Sequence, residues 1–115
     1  MQHINILKNQ SYNDDKVAIT VLFETKTTKE IRIMFREGQV MKKHQTPYPI
    51  TIEIVKGELD FGVEDETHNL IKGALVALEG AIAHDLTAKT DCIVRLTLSK
   101  LDSVSRVKKI ITLSQ

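Results

Sequence analysis

Of the four histidines in the chain, His3, His44, His68 and His84, two stand in matching surroundings. His44 follows Gly38 after five residues in a stretch that closes at Gly57, and His84 ends a stretch that begins at Gly73. Imidazole titrates near neutral pH, so two such rings brought together could hydrogen-bond a small polar ligand or shuttle a proton. With water they could also hold a zinc, nickel or copper ion, although protein metal sites generally recruit three or four protein ligands. His3 reads as solvated, and so does His68 in the polar loop Glu64–Asn69. No Ser-His-Asp arrangement and no phosphate-cradling glycine loop is present.

Whatever these histidines do depends on strands. Lys16–Phe23 and Glu30–Phe35 are rich in β-branched and aromatic residues and read as an early strand pair. Ile50–Val55, Glu58–Val63, Leu75–Leu78 and Cys92–Leu98 follow, each bounded by glycine or polar turn residues. Short strands at such spacing indicate an all-β sandwich or barrel. Near the C-terminus the period changes: Leu101, Val104, Val107, Ile110 and Ile111 recur at helical spacing, which predicts a short terminal helix from about Ser103 to Leu113. Two charged or reactive residues lie inside the Cys92–Leu98 strand. Arg95 needs a partner there and is expected to pair with a surface carboxylate, and Cys92 reads as a small buried hydrophobe.

Composition narrows the class. A chain of 115 residues with 42% hydrophobic content fits a single domain, 1–115. Sixteen basic and fifteen acidic residues leave a net charge of +1, which provides no global field for nucleic acid or an anionic membrane. No run approaches the roughly 18 apolar residues of a membrane span, and the N-terminus lacks the apolar core of a signal peptide. A lone cysteine excludes an intramolecular disulfide and fits a reducing compartment, so the expected location is cytoplasmic.

The paired glycine and histidine frames resemble the two sequence motifs of the cupin superfamily, and in particular its small single-domain bacterial members without an assigned reaction. The first motif runs from Gly38 through His44 to Gly57, with Thr46 and Ile50 at the positions of a second histidine and a glutamate. The second runs from Gly73 to His84, with Glu79 at a proline position, Ala81 at a glycine position and Ala88 at an asparagine position. The resemblance implies an antiparallel β-barrel (jelly roll) of six to eight strands in which His44 and His84 converge on one pocket. If His44 faces inward, strand parity puts Thr46, Ile50, Ile52 and Ile54 on its side and Glu53 on the other, unless a bulge at Pro47-Tyr48-Pro49 intervenes.

The expected ligand-binding residues are therefore His44, His84, Thr46, Tyr48, Ile50 and Ile52, with Tyr48 at the rim. His44 and His84 are also the metal ligands, helped by Gln45, Tyr48 or His68, if a metal binds at all. No cofactor is expected beyond a weakly held divalent ion such as Zn, Ni, Fe, Mn or Cu. The resemblance favours a protein that binds or senses a small molecule, with a mononuclear metal-dependent dioxygenase or isomerase as the alternative. The expected partners are that ligand and a second copy in a homodimer, formed through an N-terminal strand, which would leave an open sheet edge, or through the last helix.

Overall fold

In the computed structural model, which describes residues 1–100, the chain forms nine strands and no helix among those residues. They are β1 (Ala18–Glu24), β2 (Thr28–Phe35), β3 (Val40–His44), β4 (Ile50–Lys56), β5 (Glu58–Val63), β6 (Glu66–Ile71), β7 (Leu75–Leu78), β8 (His84–Ala88) and β9 (Cys92–Ser99). They assemble into two antiparallel sheets, one ordered β1-β2-β9-β4-β7 and the other β3-β8-β5-β6.

The apolar residues that face one another decide this arrangement. Alternation in β4 sends Ile50, Ile52 and Ile54 inward, and β2 does the same with Ile31, Ile33 and Phe35. From the opposite sheet Leu59 and Phe61 of β5 and Leu86 and Ala88 of β8 complete the core. Each large aliphatic or aromatic side chain buried this way contributes about 1.5–3 kcal/mol, so the packed interior dominates the stability of the sandwich.

The expected closed barrel is corrected to an open two-sheet jelly-roll sandwich. Among the described residues β7 pairs only with β4 and β6 only with β5, so no ladder joins the sheets, and β1 and β3 form free edges on the other side. Side-chain packing between the faces holds the layers together where hydrogen bonds do not. The expected loop Glu64–Asn69 is likewise corrected, because most of it is the edge strand β6. Glu64 and Asp65 have φ of +50° and +64° and make a two-residue hairpin turn between the paired Val63 and Glu66. β6 is exposed over most of its length, which is why it lacks the apolar alternation of a half-buried strand. The terminal helix expected from Ser103 to Leu113 lies outside the described residues.

The outer face of the five-stranded sheet is more polar and more buried than its composition suggests. Glu30 and Arg32 of β2 are only 9% and 5% exposed. The Arg32 guanidinium donates to the carbonyls of Ile6, Lys8 and Asn9 at 3.1, 2.8 and 3.0 Å, which fastens the N-terminal segment to β2. Arg95 has the expected carboxylate partner in Glu53, at 2.9 Å, and a second, buried one in Glu30, at 3.2 Å. Thr97 also donates to Glu30, at 2.7 Å.

Candidate functional site

β3 ends on His44 and β8 begins on His84, and the two residues are register partners across the antiparallel pair. A shift of register between Met41 and His44 accompanies this pairing. The imidazole centroids are 4.5 Å apart, with the planes tilted by 56°. His84 is 3% exposed and stacks on Phe61 at 5.7 Å and 19°, while Val63 lies directly across from it on β5. His44, His84 and Val63 thus form a row across three strands of the four-stranded sheet.

Each ring is oriented by its own backbone. Nδ1 of His44 lies 2.8 Å from the Lys42 carbonyl, and Nδ1 of His84 lies 2.9 Å from the Ile82 carbonyl. A carbonyl only accepts, so Nδ1 carries the proton in both rings, and in the neutral imidazole Nε2 is left with its lone pair. Neither Nε2 has a hydrogen-bond partner among the described residues. The pair therefore presents two acceptor nitrogens on rings already fixed in orientation.

A cavity of about 370 Å³ opens between β5 and β6 of one sheet and β7 of the other. Phe61 and Val63, the neighbours of His84, form part of its wall, with Leu70, Val76 and Leu78 among the apolar remainder. Glu64 and His68 are its ionisable lining residues. His68 is exposed and lies 3.2 Å from Glu66. The volume falls within the range of small-molecule pockets, about 300–1,000 Å³.

The other sequence-derived candidates are distributed unevenly. Ile50 and Ile52 point into the core from β4 as parity requires, and Ile50 also borders a separate cavity of about 280 Å³ with Pro49, Thr51 and Thr97. The Thr46 hydroxyl donates to the Tyr48 carbonyl at 2.9 Å and so stabilises the Pro47–Pro49 turn. Tyr48 is half-buried in that turn, and Gln45 is exposed. None of the six expected ligand-binding residues, His44 and His84 included, lines the cavity beside Phe61. Its wall comes from β5, β6 and β7, and the alternation of Leu59, Phe61 and Val63 along β5 is the signal that could have found two of its residues.

The donor set fits a tightly bound divalent metal poorly. No group of three or more histidine, cysteine, aspartate or glutamate side chains gathers at one point among the described residues. Ile50 offers no donor, the Thr46 hydroxyl is engaged, and Glu53 sits on the opposite face with Arg95. The motif frame itself is preserved in the backbone. Gly57 has φ +90°, and a Cβ there would lie 2.3 Å from the Asp91 carbonyl oxygen. Ala81, at the glycine position of the second motif, has φ +64°, and its N–H donates to the Thr46 carbonyl at 2.6 Å, tying the two motif loops together.

Solved structures with this arrangement decide the architecture. An RmlC-like cupin protein from Desulfovibrio desulfuricans superposes with a TM-score of 0.79 at 22% identity, over 86% of this chain and 96% of that one. The fold is a cupin fold. A cupin superfamily protein from Desulfitobacterium hafniense gives a TM-score of 0.75 at 12% identity, covering 86% of this chain and 92% of its own. A conserved protein of unknown function from Streptococcus pyogenes gives 0.74 at 17%, covering 86% and 87%. No family model and no curated protein matches the chain. At these identities the likeness carries the cupin fold and no activity.

Proposed function

We propose that this cupin-fold protein binds or senses a small molecule between its two sheets, at the His44–His84 pair, and that it does so in the cytoplasm as a homodimer. One observation carries the pocket reading: two imidazoles in contact, each held through Nδ1 with Nε2 free, beside a cavity with which His84 shares Phe61. Rings fixed in advance lose little freedom when a ligand binds, and apolar walls supply the remaining affinity. The alternative, a mononuclear metal enzyme of the dioxygenase or isomerase type, draws on the same two Nε2 atoms. It needs at least one more protein ligand than the described residues place nearby.

The test is a fragment screen by protein-observed NMR on the wild type and on the H44Q/H84Q double variant. The expected result is a set of hits that shift His44, His84 and Phe61, all lost in a variant whose circular dichroism is unchanged. Hits retained at full affinity would place the functional site elsewhere. Elemental analysis of protein purified without a histidine tag addresses the alternative, because stoichiometric metal would favour the enzyme.

A further inference from the structure

We propose that the outer face of the five-stranded sheet is a docking surface for the chain's own residues 101–115, which lie outside the described residues. The surface centres on the open cavity of about 280 Å³ beside Ile50. Thr97, Thr51 and Ala77 are register partners in a row across β9, β4 and β7, and next to them Ser99 pairs with Thr28 of β2. All five line the cavity. By alternation they stand on the face opposite Ile50, Ile52 and Ile54, and their short side chains leave room above the sheet. Leu75, the next outward residue of β7, is 72% exposed, so apolar surface continues along that strand.

The place where the chain leaves β9 names the occupant. Ser99 is in the cavity wall, the Lys100 N–H donates to the Thr27 carbonyl at 2.8 Å, and the Lys100 ammonium donates to the Thr25 carbonyl at 3.2 Å. The segment that follows therefore starts beside the cavity, and such tethering favours a contact within the chain over one between copies. Its sequence supplies the matching surface, because Leu101, Val104, Val107 and Ile111 recur at helical spacing and make one apolar side. Charge agrees: Glu79 is the one ionisable residue lining the cavity, and the segment holds Arg106, Lys108 and Lys109 against Asp102. From β2 to β7 is three strand spacings, roughly 14 Å. Residues 101–115 cover about 22 Å as a helix and more when extended. The same sheet face is already covered in this way at β2, where Arg32 fastens residues 6–9.

A nitroxide on S105C tests this in the full chain, because Cys92 is fully buried and the new thiol is the one that takes the label. The expected result is loss of most of the NMR amide intensity of Thr51, Ala77 and Thr97, restored when ascorbate reduces the nitroxide. Isotope-labelled protein without a nitroxide, mixed with nitroxide-bearing protein that is not isotope-labelled, should keep those signals. Equal broadening in the mixture would assign the cavity to the segment of a second copy and overturn the proposal. Full intensity at all three residues in both samples would overturn it as well. V104D/V107D gives a check that needs no label: it should move the chemical shifts of Thr51, Ala77 and Thr97 and lower the denaturation midpoint, whereas unchanged shifts at those residues would refute the contact.

Discussion

Ala81 is a side chain in a place suited to glycine. Its φ of +64° lies in the left-handed region, where a Cβ costs roughly 1–2 kcal/mol, and the hydrogen bond to Thr46 that joins the motif loops holds it there. Replacing it with glycine removes the strain but makes the unfolded chain freer. The expected net effect of A81G is a gain of about 0.5–1 kcal/mol, read as a higher denaturation midpoint with an unchanged slope. Cys92 is governed by burial instead. It is fully enclosed, and burial pushes its thiol above the ordinary cysteine value. The thiolate is the reactive form, so Ellman's reagent should leave native protein unmodified and react only at the rate of unfolding. Immediate modification in the native state would contradict this packing.

At the scale of elements, two turns and one edge carry consequences. Asp91, in the β8–β9 turn, accepts the Glu37 backbone N–H at 2.8 Å and Arg36 Nη1 at 3.1 Å, which staples the β2–β3 turn to it. The Glu37 N–H, reinforced by Arg36, holds the Asp91 carboxyl below the usual aspartate value. A lowered folded value stabilises the protein above the unfolded value of about 3.9. That contribution disappears as pH falls from there through the folded value. D91N should therefore flatten the acid limb of the stability profile while the wild type keeps it, as measured by urea denaturation at a series of pH values.

Among the described residues the edge strand β1 has unpaired backbone on one side and exposes Ile19 and Val21, 58% and 49% accessible, on the side they share with Ile33 and Ile31. A second copy would cover both features. Light scattering should give twice the chain mass of 13.0 kDa, and I19K/V21K should halve it. A monomeric wild type at micromolar concentration would count against the homodimer.

At the scale of the molecule, the pairings that define the fold are distant in sequence. Thr28 pairs with Ser99, Ile50 with Leu98 and Val40 with Thr87. Chain closure over such separations must come before most of the core can form. Refolding should therefore take milliseconds to seconds, observed by stopped-flow circular dichroism because the chain has no tryptophan. The Glu30–Arg95–Glu53 bridge, buried at Glu30 and partly exposed at the other two, spans β2, β9 and β4 and depends on the same distant pairings. R95M would leave the Glu30 carboxylate buried with Thr97 as its one donor among the described residues. The expected cost is on the order of 1–3 kcal/mol, below the full penalty for breaking a buried pair because Arg95 is partly exposed.

Much of this was legible in the residues themselves. Runs of β-branched and apolar residues between glycine or polar turn residues marked β2, β4, β5 and β9. The parity that separated Ile50, Ile52 and Ile54 from Glu53 follows from the pleat alone. The glycine frames resembled those of cupins because Gly57 meets a local steric demand, a positive φ against the Asp91 carbonyl, which a sequence records directly. Tertiary structure decided what depends on partners. β6 is a strand because β5 supplies its hydrogen bonds, not because its own residues alternate. The sheets stay open because β6 and β7 pair with other strands and not with each other, a matter of pairing that no single segment encodes. The cavity came from the same gap. Its wall joins Phe61 and Val63 to residues of β6 and β7, whose apolar atoms meet only when the two layers stack, so spacing along the chain could bring His44 and His84 together but could not show what lies beside them.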